Sequence, residues 1–94
     1  MTIFLGETVR IQNVMKDFDG SPLNPDSQEV KIYDPTGALK ATYTSPVKEA
    51  DGIYHVDHTT SESDVAGKWT CVWKVVANNI TSIEIYTFQV RKYV

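Results

Sequence analysis

His55-Val56-Asp57-His58 is the densest group of metal-binding side chains in the sequence. Along a β-strand, side chains alternate between faces, so His55 and Asp57 can reach one ion while His58 points away. Zinc takes three or four converging ligands, and nothing nearby completes the set. The expected role is a polar strand edge facing solvent, without a metal. A second group, Asp17-Phe18-Asp19-Gly20 with Asp26 close by, has part of the spacing of a calcium loop. That loop needs a third oxygen donor two positions on and a distal bidentate glutamate. Here the third position falls at Ser21, directly after the glycine, and Pro22 follows. These aspartates are expected to serve turns.

Cys71 is the only cysteine, so no internal disulfide can form. A reactive thiol wants a neighbouring base or cation and some exposure; Thr70 and Val72 supply neither. Serine, histidine and aspartate all occur, yet there is no nucleophile elbow, glycine-rich phosphate loop or HExxH. No enzyme and no cofactor are expected. Asn79-Ile80-Thr81 matches a glycosylation sequon, but asparagine here is already explained as a hairpin residue.

The bulk numbers narrow the partners. Ninety-four residues, 41% apolar and 22% charged, fit one folded domain over residues 1–94. Nine basic residues against twelve acidic ones give a net charge of −3, and only Arg91-Lys92 are adjacent. Without a basic stripe to neutralise phosphates, nucleic acid is not an expected ligand. No apolar run approaches the roughly 20 residues that span a bilayer, and MTIFLGETVR lacks the features of a signal peptide. The expectation is a protein that folds in a reducing cytosol and does not engage membranes.

The elements that must position these residues are strands. Runs of Val, Ile, Thr and aromatics alternate with Gly, Pro, Asn and Asp clusters. The spacing predicts strands at Thr2–Leu5, Glu7–Met15, Gln28–Tyr33, 39–43, Ile53–Thr59, Lys68–Val76 and Ile80–Val90. Val14 breaks the phase of the second, which suggests a bulge or an early end. Residues 16–27 form a long loop, Asp34-Pro35-Thr36-Gly37 a type I turn, Ser45–Gly52 a reversal and Ala77-Asn78-Asn79 a tight hairpin. Leu39, Ala41 and Tyr43 are expected to share a face. About seven strands in two packed sheets make an all-β, immunoglobulin-like antiparallel sandwich.

By the period-two rule Trp69, Cys71, Trp73 and Val75 share one face, placed in the core with Tyr54, Val56 and Phe88. Two buried indoles would do by bulk what a disulfide does in related domains. Val72 and Val76 then face outward. Ile83 and Ile85 either join them in an exposed apolar patch or are turned inward by a bulge near Tyr86, extending the core. Both arrangements stand at this point. The patch predicts a protein–protein interface or self-association through Val72, Val76, Ile83 and Ile85.

Gly6-Glu7-Thr8-Val9, Ile32-Tyr33-Asp34-Pro35-Thr36-Gly37, Asp51-Gly52-Ile53-Tyr54, Gly67-Lys68-Trp69-Thr70 and Tyr86-Thr87-Phe88-Gln89-Val90 resemble immunoglobulin-like domains of the macroglobulin and bacterial-surface type. Such domains also occur in structural proteins of tailed viruses. The first bridging cysteine of antibody-type domains is missing. The resemblance implies a module for cohesion, spacing or binding, with no catalytic residues. It leads to the expectation of a virion component, such as a capsid, connector or tail accessory protein, assembled in the host cytoplasm on other virion proteins or on itself. The alternative is a carbohydrate- or cell-surface-binding module from a larger surface protein, using Tyr33, Tyr43, Tyr54 or the loop aspartates.

Overall fold

Alternation along residues 67–77 sets the inside of the molecule. Trp69, Cys71 and Trp73 are fully enclosed, Val75 and Ala77 nearly so, and the residues between them lie outside. The computed structural model describes all 94 residues, as eight strands and their connections. They are β1 (Thr2–Phe4), β2 (Thr8–Val14), β3 (Ser27–Tyr33), β4 (Leu39–Tyr43), β5 (Val47–Ala50), β6 (Ile53–Thr59), β7 (Gly67–Ala77) and β8 (Ile80–Arg91). A five-stranded sheet in the order β1-β8-β7-β3-β4 packs on a three-stranded sheet, β2-β6-β5. Between them lie Val9 and Ile11 from one sheet and Val30, Ile32, Phe88 and Val90 from the other, around the two indoles.

Both indoles are satisfied as well as buried. Trp69 donates its ring N–H to the Val65 carbonyl (2.8 Å), and Trp73 donates to Gln28 Oε1 (3.0 Å). Trp69 also stacks on Phe88, with ring centroids 6.1 Å apart. Tyr54 sits at the rim of this core, half-buried, with its hydroxyl turned toward Asn24. Burial pushes the Cys71 thiol up to about 12, so it stays protonated and unreactive.

Several elements depart from the sequence expectation. There are eight strands, because β5 lies inside the stretch read as a reversal. Its residues Val-Lys-Glu-Ala are all exposed and carry no alternation to mark them. One pairing is parallel: β1 runs alongside the end of β8, with Ile3 opposite Val90. The whole intervening chain serves as the crossover that a parallel pair requires. In β2 there is no bulge. Asn13 takes an inward position between Ile11 and Met15, leaving Val14 outside. An amide can sit there because Tyr86, on the opposite sheet, donates its hydroxyl to Asn13 Oδ1. Leu39 does not share a face with Ala41 and Tyr43. An extra residue in β4, Lys40, sets Leu39 opposite Tyr33 on the outer face, half-exposed.

The turns follow their sequences. Asp34 Oδ1 accepts from the Thr36 hydroxyl (2.6 Å) and from the N–H groups of Thr36 and Ala38 (2.8 and 3.1 Å). The Thr36 hydroxyl first, with these N–H groups, holds the Asp34 carboxyl below its ordinary value. Asn78 and Asn79 both have positive φ, 52° and 65°, the signature of a type I′ turn.

The β7–β8 hairpin is longer than the sheet that faces it. Ile80, Ser82 and Glu84 are exposed, although they share a face with Tyr86, Phe88 and Val90. The result is an elongated molecule of 47 × 22 × 19 Å. Beneath the overhang lies a cavity of about 430 Å³ open to solvent, bordered by Val14, Phe18, Leu23 and Ile80.

Candidate interaction surface

A two-residue turn with Ala77 opposite Ile80 fixes how β8 lies against β7. The register then runs unbroken to Gly67 opposite Val90. Ile85 stands beside Val72, Ile83 beside Lys74 and Thr81 beside Val76, all on the outer face. No bulge turns the isoleucines inward. Ile83 and Ile85 are 57% and 63% exposed, while Val72 and Val76 are partly covered by their neighbours. The next strand borders this group with Lys31 beside Val72 and Glu29 beside Lys74, the two charges 3.5 Å apart. The sheet thus presents an apolar row framed by charge. The turn chemistry carried the signal for this arrangement: an Asn-Asn hairpin with strict alternation puts the odd-numbered residues of β8 outside.

The edge beside this row is open. β1 covers β8 only at Gln89, Val90 and Arg91. From Ile80 to Phe88, β8 has a strand on one side and none on the other. Unpaired N–H and C=O groups along such an edge are ready to accept a further strand.

The groups first considered for chemistry are arranged otherwise. His55 and Asp57 do share the outer face of β6, next to Glu49, but His55 is buried there instead of facing solvent and Asp57 is taken up by a cation. Arg10 holds both oxygens of Asp57 at 2.8 and 2.9 Å. Gln12 donates to Glu49 Oε2 at 2.9 Å, and His55 Nδ1 lies 3.2 Å from the same oxygen. These contacts lower the Asp57 carboxyl, chiefly through Arg10, and the Glu49 carboxyl, chiefly through Gln12. The group is a charge network on the three-stranded sheet, and β6 is its central strand, not an edge. Asp17 Oδ1 accepts the N–H groups of Asp19 and Ser21 (2.9 and 3.0 Å), which closes the loop turn. Asp26 Oδ2 accepts the N–H of Asn78 (3.0 Å) and steadies the hairpin instead. Tyr33, Tyr43 and Tyr54 do not form one platform. Tyr33 lies on the outer face of the five-stranded sheet, Tyr43 turns its hydroxyl to His58, and Tyr54 belongs to the other sheet.

His58 is one of the buried polar groups that the sequence does not place in the core. It is 7% exposed, with Nδ1 2.8 Å from the Tyr43 hydroxyl, Trp69 6.0 Å away and no partner on Nε2. Burial holds its pKa below the ordinary 6.5. The unfolded chain therefore takes up a proton before the folded one does. Stability falls as pH is lowered through about 6.5 and levels off below the depressed value. The lowered carboxylates add a separate loss only below about pH 4.5. Thermal melts should show a lower transition temperature at pH 5 than at pH 7.5. Identical melts at the two pH values would contradict the burial of a neutral His58.

No family model and no curated protein matches the chain. Solved structures do match. The native conformation of E. coli alpha-2-macroglobulin superposes with a TM-score of 0.78 at 21% identity, over 98% of this chain and 5% of the other. Salmonella alpha-2-macroglobulin reacted with methylamine gives 0.76 at 19% identity, over 99% and 6%. An endo-beta-1,4-mannanase from Thermotoga petrophila gives 0.64 at 16% identity, over 95% and 17%. The chain thus spans a small fraction of each protein it resembles. Two packed sheets, a core of indoles without a disulfide and these superpositions agree on the fold: an immunoglobulin-like β-sandwich of the macroglobulin type.

Proposed function

We propose that this chain is a non-enzymatic interaction module that works through the outer face of its five-stranded sheet, as a virion component of a tailed virus. The observation that carries the reading is the apolar row of Val72, Ile83 and Ile85 on the outer sheet face beside an open strand edge. Apolar side chains in such a row lose water when a protein surface covers them. The macroglobulin-type fold supports the module in the coarser sense, because the solved neighbours contain it as one part of a much larger protein. The virion setting rests on the resemblance to tailed-virus structural domains. Its partners would be other virion proteins, met in the host cytoplasm during assembly. The glycan-binding alternative has less support, since its tyrosines are dispersed.

The test is co-purification with assembled particles, using the chain and Val72→Glu. Val72 is opposite Lys31, so a glutamate there has a cation beside it and the fold should keep its melting temperature within a few degrees. Wild type should associate in fixed stoichiometry, and the variant about tenfold more weakly or worse. Equal association of both would remove this face from the function. Binding of the isolated chain to glycans, with none to particles, would replace the reading by the adhesion alternative.

A further inference from the structure

The open edge of β8 is self-complementary in one register. The Asn78-Asn79 turn makes Ala77 and Ile80 a hydrogen-bonded pair, so even-numbered residues of β8 bond to β7. Odd-numbered residues point their N–H and C=O the other way. The bonds to the β1 side obey this rule: Gln89 donates its N–H to the Met1 carbonyl, and the Arg91 carbonyl accepts from Leu5 N–H, both at 2.9 Å. Thr81, Ile83, Ile85 and Thr87 therefore hold the unpaired groups, and their side chains belong to the exposed outer face.

We propose that two copies of the chain join through this edge, β8 antiparallel to β8, with the two-fold axis at Ile83. The proposal rests on the reading of this sheet as an interaction surface and names the occupant of its edge. An antiparallel pair sharing odd-numbered bonding residues can have its axis at only a few positions. An axis at Glu84 sets that carboxylate directly against its copy, a like-charge pair that destabilises a ladder. It also brings the partner's hairpin tip to Met1. An axis at Ile85 sets the partner's Thr81 opposite Gln89, in the place that Met1 and Thr2 already fill. An axis at Ser82 leaves Ile85 facing the turn. With the axis at Ile83, Ile83 meets itself, Ile85 meets Thr81, Glu84 meets Ser82 and the exposed Ile80 meets Tyr86. That register forms about six backbone hydrogen bonds, ends short of Met1 and joins the outer rows of both copies. The product is one ten-stranded sheet with a continuous apolar stripe across the seam.

Sedimentation of the full chain should give twice its 10.6 kDa mass, and Ile83→Lys should weaken association by at least about tenfold, because two ammonium groups then share the axis. Single-cysteine variants at 81, 83, 85 and 87 then read the register, since the native Cys71 is buried. Paired residues at the axis lie about 5.5 Å apart between Cα atoms, within disulfide range. Under mild oxidation Ile83→Cys should crosslink to a covalent dimer, and the other three should not. A monomer at all concentrations, a crosslink strongest at another position, or equal crosslinking at all four would overturn the proposal. A monomer that still binds particles would overturn only this pairing and leave the module reading in place. A dimer that binds no particle would do the reverse.

Discussion

Trp69→Ala should leave the chain largely unfolded near physiological temperature. The residue is fully enclosed, stacks on Phe88, lies against His58 and donates to the Val65 carbonyl. Emptying such a site typically costs about 3–5 kcal/mol, from lost transfer energy and the cavity left behind. A chain of 94 residues has a total stability of about 5–14 kcal/mol, so one truncation consumes much of it. The melting temperature should fall by about 12–40 °C. Trp69→Phe keeps the ring stack and most of the volume and should cost much less, while Cys71→Ala should cost only about 1 kcal/mol. That order separates bulk from sulfur as the source of cohesion. Urea denaturation of the three variants measures it directly. A loss under about 1 kcal/mol for Trp69→Ala would mean that the indole is not central to the sandwich.

The same tryptophan was legible in the sequence because its signal is local: alternate residues from 69 to 75 are apolar, and the strand that carries them is long. The hairpin was legible for a similar reason, since two asparagines tolerate positive φ where other side chains would strain. What escaped were features whose cause lies elsewhere in the chain. Val14 looks like a break in the phase of β2 until Tyr86, 73 positions from Asn13, is brought over that amide and lets it hold the inward place. His58 was seen to point away from His55, but its place beside Tyr43 and Trp69 needed the packing of two sheets. β5 has no apolar alternation and exists because β6 offers it an edge. The parallel docking of β1 on β8 leaves no mark on either strand's own residues. For the interaction surface, the residues were identifiable but their direction was not. Direction came from the register, and the register from the turn.

Gly52→Ala should be the second most damaging small change, and its reason is separable. The glycine has φ +76°, a conformation that costs an L-residue about 1–2 kcal/mol. A methyl there would also stand 2.6 Å from the Met15 carbonyl oxygen and 3.1 Å from the Leu23 nitrogen. Both are backbone atoms held in place: Met15 N–H donates to the Gly52 carbonyl, and Leu23 N–H donates to the Met15 carbonyl. Neither can retreat without opening the junction of β2, the long loop and β6. Crowding of that kind adds about 1–3 kcal/mol, for a total of about 2–5 kcal/mol. Gly37 provides the control. It has φ +87°, but an added methyl meets nothing within 4 Å. Gly37→Ala should therefore show the conformational cost alone. Equal losses for the two variants would assign the role of Gly52 to backbone freedom; a gap of 1 kcal/mol or more, on the order expected from crowding, would assign it to the close approach of the two strands and their loop, which is what keeps the end of the smaller sheet closed beneath the projecting hairpin.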